Sequence, residues 1–292
     1  MNAFTIKDLE NISGIKAHTI RIWEQRYSFL APKRTDTNIR YYSNSELKTI
    51  LNIALLNKYG YKISHINQMT PEIMKDTILS LSQAQAQQEL LVNDLINDMI
   101  EMNINEFENK IDNHIDKKGI ENTIIHLIFP FLERIGILWV TNHVNPGQEH
   151  LVTNIIRQKL IVGIETIVPA ILTHQTALLF LPEGEYHELG ILFIYFLMKS
   201  HGVKVIYVGA NVPITDVAFI ANHTKPNFLY THLTAVANQF HFEKFLSNFS
   251  QKLPDFNFII SGAITQHFNS QPPKNISLKK SLAEVMSYIS AL

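Results

Sequence analysis

At 292 residues, with 46% hydrophobic and 17% charged side chains, the chain is long enough for two or three domains that each bury a core. Its formal charge of −1 argues against a polyanion-binding surface spread over the whole molecule, and apolar runs broken by polar residues argue against a membrane span. No cysteine is present, which excludes disulfides, thiolate metal sites and cysteine nucleophiles. With no signal peptide at the start, this points to a reducing, cytoplasmic setting. The small net charge hides an asymmetry. Residues 1–75 hold 11 Lys/Arg against 6 Asp/Glu, whereas residues 89–121 hold 3 against 9. A polyanion partner is therefore expected at the amino-terminal block alone.

Thr5-Ile6-Lys7-Asp8 has capping-box spacing, and Phe4, Ile6, Leu9 and Ile12 supply the apolar positions of a short first helix, broken at Ser13-Gly14. A second helix is expected over Ala17–Tyr27. Ile20, Trp23 and Tyr27 share its buried face, with His18, Arg21, Gln25 and Arg26 largely on the other. Two short helices about a glycine-containing turn, the second basic on its outer face, form a helix-turn-helix pattern. Pro32-Lys33-Arg34, the turn Thr35-Asp36-Thr37-Asn38 and Ile39-Arg40-Tyr41-Tyr42 read as a small hairpin, or wing, with Arg34 and Arg40 as phosphate contacts. Ser43-Asn44-Ser45-Glu46 is a second capping box, opening a helix through about Tyr59.

Over roughly the first 70 residues this order resembles the MerR family of transcription factors. The resemblance is carried by Thr19-Ile20-Arg21-Ile22-Trp23-Glu24-Gln25-Arg26-Tyr27, Arg34-Thr35, Arg40, Tyr42 and Ser43. It implies a DNA-binding domain at 1–75 that engages double-stranded operator DNA through His18, Arg21, Gln25, Arg26, Arg34, Arg40 and Tyr42. It also implies self-association as a dimer or tetramer, since family members bind DNA in pairs. The residues alone leave open a helical interaction domain with a solvated basic face.

Ser82-Gln83-Ala84-Gln85-Ala86-Gln87-Gln88 is a polar, low-complexity stretch of good helix formers, expected as a linker over 76–88 that runs into a helix. From Leu90 to about Ile171 the pattern is helical. Breaks near Met102-Asn103, Lys118-Gly119 and Asn145-Pro146-Gly147 divide it into about four helices, a small bundle over 89–172. Within it, Trp139 precedes Glu149-His150 by nine intervening residues.

Residues 173–292 read as an α/β domain. Strand candidates Ala177–Leu181, Lys204–Val208, Asn227–Thr231 and Phe258–Ser261 recur at βαβ spacing, which predicts a mostly parallel, Rossmann-like sheet with ligands at the strands' carboxyl ends. The loops there bring Glu185, His187 and Gly190 after the first strand and Gly209-Ala210-Asn211 after the second. Thr231-His232-Leu233 ends the third and Ser261-Gly262 the fourth. His187 can offer a neutral imidazole nitrogen to a metal while Glu185 holds the proton on the other ring nitrogen. Gly190 leaves room for something bulky beside the backbone. One histidine is too few for a bare zinc site and suits a metal already caged in a macrocycle.

Glu185-x-His187-x-x-Gly190 is similar to a variant of the Asp/Glu-x-His-x-x-Gly signature of cobalamin-binding domains. Trp139-x9-Glu149-His150 resembles the helical cap of MerR-type, cobalamin-dependent regulators, the CarH/LitR-like photoreceptor repressor group. The full order, a winged helix-turn-helix head, a four-helix-bundle cap and a cobalamin-binding α/β domain, matches that group. The resemblance implies a non-enzymatic, cobalamin-responsive and light-responsive repressor whose oligomerisation adenosylcobalamin controls, with methylcobalamin or hydroxocobalamin as other cofactor forms. His187 is then the lower cobalt ligand. Trp139, Glu149 and His150 line the upper face, and Glu185, Gly190, Asn211, Thr231, Leu233, Ser261 and Gly262 complete the cofactor site. The family's third strand end usually reads Ser-x-Leu and its fourth Gly-Gly, where the glycines let the cofactor's nucleotide tail pass. Here Thr231 and Ser261 depart from that pattern. A histidine that follows the tryptophan in light-sensing members is Val140 here, and His143 does not inherit its role. A corrinoid methyl carrier of a methyltransferase system and a cobalamin-independent MerR-type regulator are the alternative readings.

Overall fold

The computed structural model describes residues 4–81, 84–140, 145–234 and 240–292, with backbone alone at 137–140. The chain divides into two compact units, Met1–Ile155 and Ile156–Leu292.

The first unit begins with a helix-turn-helix. Helix α1 (Ile6–Ser13) starts at a capping box in which Thr5 N–H donates to Asp8 Oδ2 at 2.6 Å, and it ends at Gly14 in the left-handed region, φ 74°. Helix α2 (Ala17–Arg26) buries Ile20 and Trp23 and exposes His18, Arg21, Gln25 and Arg26. The wing is an antiparallel pair, β1 (Lys33–Arg34) and β2 (Arg40–Tyr41). Phe4 and Tyr42 exchange backbone hydrogen bonds of 2.9 and 2.8 Å, which ties the chain start to the wing. Ser43 and Glu46 cap α3 (Asn44–Lys58), and the head continues through α4 (Ile63–Ile66) and α5 (Pro71–Ser80).

The expected linker is already structured from Ala84 onward. Helix α6 (Ala84–Glu101) buries Ala86 and packs against α3, with Lys58 Nζ 2.7 Å from Glu89 Oε1. Helix α7 (Ile104–Lys118) follows the break at Met102-Asn103, and Gly119 at φ 79° marks the next. Then α8 (Ile120–Thr123), a π-helical stretch Ile124–Ile128 and α9 (Phe129–Val140) run on without interruption. Helix α10 (Pro146–Thr166) follows the Asn145-Pro146-Gly147 break. The bundle thus has the four helical runs that the sequence predicts.

The second unit is built on a five-stranded parallel sheet of order β4-β3-β5-β6-β7. The strands are β3 (Thr176–Pro182), β4 (Lys204–Val212), β5 (Phe228–His232), β6 (Asn257–Ser261) and β7 (Ile276–Lys279). Strand β3 is a continuous buried apolar run, as a central parallel strand requires. Helices α11 (Glu188–Ser200), α12 (Ile214–Thr224), α13 (Phe242–Lys252), α14 (Ala263–Gln266) and α15 (Leu282–Ser290) supply the connections and cover. One core joins Leu178, Phe180, Leu229, Phe258 and Ile260 of the sheet to Val217, Leu246 and Phe249 of α12 and α13. Strand β7 was not among the four expected, and β4 runs four residues further than expected, past register shifts opposite Leu179 and Phe180. Counted within the domain, the order is 2-1-3-4-5, so the winding reverses between β3 and β5. A crevice for ligands opens at that point, outside the carboxyl ends.

Two glycines with similar left-handed backbones separate strain from crowding. A Cβ on Gly14 would meet nothing within 4 Å, whereas one on Gly202 (φ 81°) would lie 1.9 Å from the carbonyl oxygen of Ile171. Gly14→Ala is expected to lose about 1 kcal/mol, and Gly202→Ala roughly 3 kcal/mol or more, because backbone rather than side chain must give. Urea unfolding followed by circular dichroism checks the pair; equal losses would contradict the crowding at Gly202.

Candidate functional site

The site is built where the winding reverses. After β3 the chain turns through Pro182–Gly184, and Glu185 N–H donates back to the Pro182 carbonyl at 2.9 Å. This turns the Glu185 carboxylate inward, where only 1% of the residue is exposed. Its Oε1 accepts from His187 N–H at 2.9 Å and pairs with His187 Nδ1 at 2.7 Å. Its Oε2 accepts from Thr234 N–H at 3.0 Å, across the crevice from the loop after β5. A carboxylate only accepts, so Nδ1 carries the ring proton and Nε2 is the basic nitrogen. His187 itself is exposed at the amino end of α11. Among the described residues no group of three or more His, Asp or Glu side chains could hold a bare metal ion. The donor set therefore fits a cofactor that asks for a single axial imidazole.

Neighbouring residues brace this loop. Asn211, in the left-handed region at φ 57°, accepts from Gly184 N–H at 2.9 Å through its side chain and donates its own N–H to the Glu185 carbonyl at 3.1 Å. Glu188, in the first turn of α11, takes Arg157 Nη2 at 2.7 Å and the Tyr207 hydroxyl at 2.6 Å. None of Arg157, Glu188 or Tyr207 carries a sequence motif that would have marked it.

Strand β5 runs one residue further than expected, to His232, and its alternation puts Thr231 and His232 on opposite faces. Thr231 shares its face with Leu229, a member of the core, and its buried hydroxyl has no hydrogen-bond partner among the described residues. Tyr230 and His232 take the other face. There the Tyr230 hydroxyl donates to Ser261 Oγ at 2.9 Å, and Ser261 Oγ pairs with His232 Nδ1 at 2.8 Å. Leu233 is fully buried, and its N–H donates to the Ser261 carbonyl at 2.9 Å. Gly262 sits at φ 110°, in a conformation that favours glycine. His232 is not marked as a site residue by the sequence, because alternation alone does not say which face of β5 meets α11.

In the first unit, Gln148 anchors the start of α10 by donating from Nε2 to the carbonyls of Met99 and Ile100 at 3.3 and 3.2 Å. The following Glu149 and His150 pair at 3.3 Å, the glutamate partly buried and the histidine exposed. The Trp139 and Val140 side chains and all of His143 lie outside the described residues.

At the head, His18, Arg21, Gln25 and Arg26 are exposed along α2, and Arg34 is exposed on the wing, where its Nη1 donates to Asn38 Oδ1 at 2.7 Å. Arg40 is more constrained than expected, its Nε donating to Glu24 Oε2 at 2.8 Å. Tyr42 needs correction. It is fully buried, with its hydroxyl on Glu24, so it braces the wing against α2 and cannot reach a partner at the surface. Burial first, and then the bond to Glu24, push its phenol pKa up.

Burial lowers the pKa of His232 to about 4 from the usual 6.5, against an upward pull from the Glu185 charge. The unfolded chain takes up this proton near pH 6.5 and the folded one does not. The contribution is thus nil above that pH and grows more destabilising as pH falls towards 4, reaching at most about 3 kcal/mol. His232→Asn, which can still bond Ser261, is expected to flatten the loss of stability between pH 6.5 and 4.5 in urea titrations. An unaltered slope would show that the ring is not held neutral by burial.

Residues 4–73 match the family described as MerR HTH family regulatory protein, and residues 91–162 match the B12 binding domain. The HTH-type transcriptional repressor CarH of Myxococcus xanthus is 24% identical over 261 residues, covering 86% of this chain and 85% of the relative. The HTH-type transcriptional repressor CarA of the same organism is 26% identical over 211 residues, covering 71% and 68%. Among solved structures, the monomethylamine corrinoid protein of Methanosarcina barkeri aligns with 69% of this chain and 97% of its own, with a TM-score of 0.51 at 11% identity, a likeness of fold. The chain thus combines a MerR-type helix-turn-helix with a B12 binding domain, and it is a cobalamin-binding, MerR-type regulator similar over most of its length to the CarH and CarA repressors.

Proposed function

We propose that this regulator represses transcription by coupling corrinoid occupancy at His187 to the number of heads that engage operator DNA together. The observation that carries the reading is the pairing of His187 Nδ1 with the buried Glu185 carboxylate at 2.7 Å, at the sheet's point of reversal. In this tautomer Nε2 would be the nitrogen that holds the cobalt of a bound corrinoid. Adenosylcobalamin is the favoured form, and when bound it supplies a cobalt–carbon bond that visible light can break, which makes light a candidate signal. Glu149 and His150 offer an acceptor and an imidazole suited to the adenosyl ribose. The group assembles as a dimer or tetramer, because one head grips DNA weakly and assembly raises effective concentration. A methyl-carrier role would leave the basic residues 1–75 without a task. No helix among the described residues is long and apolar enough to cross a membrane, and the cysteine-free composition supports a cytoplasmic setting.

His187→Ala is expected to lose cobalamin during gel filtration, while Glu185→Gln retains it with weaker affinity, by about tenfold or more. Absorbance of the protein peak measures both, and a His187→Ala chain that keeps the cofactor with an unchanged spectrum would contradict the ligand assignment. At the head, Arg34→Ala is expected to weaken binding to all DNA sequences alike and to reduce the salt slope by about one. Arg21→Ala is expected to change sequence preference as well, because the exposed face of α2 would lie in the major groove. Fluorescence anisotropy against specific and scrambled duplexes over a salt series distinguishes the two, and identical behaviour of both variants would refute the division of roles.

A further inference from the structure

The carboxyl ends of β5 and β6 carry a plug of side chains on the face that packs against α11. Tyr230, Ser261 and His232 form one hydrogen-bonded chain there, with links of 2.9 and 2.8 Å. The His232 ring presses against the backbone of Gly190, so that a Cβ on this glycine would stand 2.3 Å from His232 Cδ2 and 2.6 Å from Nε2. Gly190 thus makes room for the chain's own imidazole. Gly262 is used in the same way, since a Cβ on it would stand 2.1 Å from the Leu233 carbonyl oxygen. Both clearances beside the His187 loop are filled from within.

Ligation of cobalt by His187 would displace the benzimidazole of a complete cobalamin, and the freed nucleotide arm of base, ribose and phosphate needs a place. On this face a glycine or serine at the end of β5 would leave space where His232 stands. The ring is held by Ser261, which is itself 1% exposed and fixed by Tyr230, so it is part of a packed network. Moving it would break hydrogen bonds among largely buried groups.

We infer that His232, backed by Ser261 and Tyr230, is a specificity-determining residue that shuts the nucleotide arm out of this domain. The site then selects by corrin ring and axial ligation, and it takes corrinoids that lack the arm at least as readily as complete cobalamin. This inference rests on the proposed role of His187 and adds the class of corrinoid that the site accepts.

The test titrates the full-length protein with aquacobalamin and with diaquacobinamide, reading visible spectra and Kd by equilibrium dialysis. Cobinamide has no base to displace, so the decisive quantity is the ratio of the two Kd values in the wild type and in His232→Ser, which removes the ring but leaves a hydroxyl for Ser261. The wild type is expected to bind cobinamide at least as tightly as cobalamin. His232→Ser is expected to shift the ratio towards cobalamin by about tenfold, chiefly through tighter cobalamin binding. Ser261→Gly, which unties the ring, is expected to shift it the same way by a smaller factor, and it decides the matter if His232→Ser does not fold. A wild type that prefers cobalamin, or a ratio that neither variant moves, would overturn the inference while leaving His187 as ligand. If neither corrinoid gives a spectrum that depends on His187, the functional reading itself is lost and the inference goes with it.

Discussion

A carboxylate taken almost wholly out of water is costly unless its oxygens are met by donors, and Glu185 meets that demand by gathering two loops around itself. One oxygen takes the backbone and the ring of His187, and the other takes the Thr234 amide from across the point where the sheet reverses its winding. Without it the loop after β3 would lose its tie to the loop after β5, and the imidazole would lose both its tautomer and its direction. The rest of the domain serves this arrangement. Strand β3 supplies a buried apolar rod that ends at the loop, Asn211 clamps the loop from the neighbouring strand, and Glu188 with Arg157 and Tyr207 fixes the first turn of the helix that His187 precedes.

The same logic of a single acid organising several elements recurs at the head. Glu24 projects from α2 and holds both Arg40 and Tyr42, so one side chain sets the wing against the helix whose outer face bears His18, Arg21, Gln25 and Arg26. The exposed basic groups need no such support individually, because phosphate binding depends on summed charge more than on one rigid contact. The head is also continuous with the bundle: α3 lies against α6, and Lys58 reaches Glu89. Residues 84–88, polar enough to resemble a tether, are therefore part of a packed helix.

Much of this was legible in the residues. Capping boxes at Thr5 and Ser43 mark helix starts because a side-chain oxygen and a carboxylate must satisfy amides that the helix leaves unpaired, and that requirement is local. The breaks at Met102-Asn103, Gly119 and Asn145-Pro146-Gly147 are legible for another local reason, since Asn, Gly and Pro interrupt helical runs. The four expected strands are found because buried parallel strands are short apolar runs, whereas β7, with Ser277 and Lys279 in only four residues, has no such run. Glu185 and His187 were identified by chemistry at two-residue spacing. His232 is not legible in this way, because alternation places it opposite Thr231 without saying which face meets α11, and only Gly190, far away in sequence, reveals which face the ring fills. Tyr42 is ambiguous in sequence, since an aromatic residue at the end of a basic hairpin can face either the partner or the core, and Glu24 and the Phe4 pairing decide for the core.

The account stands on a linkage: what His187 holds must alter how the head binds DNA. The most direct measurement is the affinity of the full-length protein for DNA from upstream of its own coding sequence, at fixed salt, in the dark, with and without adenosylcobalamin, for the wild type and His187→Ala. The account predicts that the cofactor changes the wild-type affinity by about fivefold or more and leaves the variant unchanged. Equal wild-type affinities in the two conditions, at concentrations where the cofactor is bound, would contradict it.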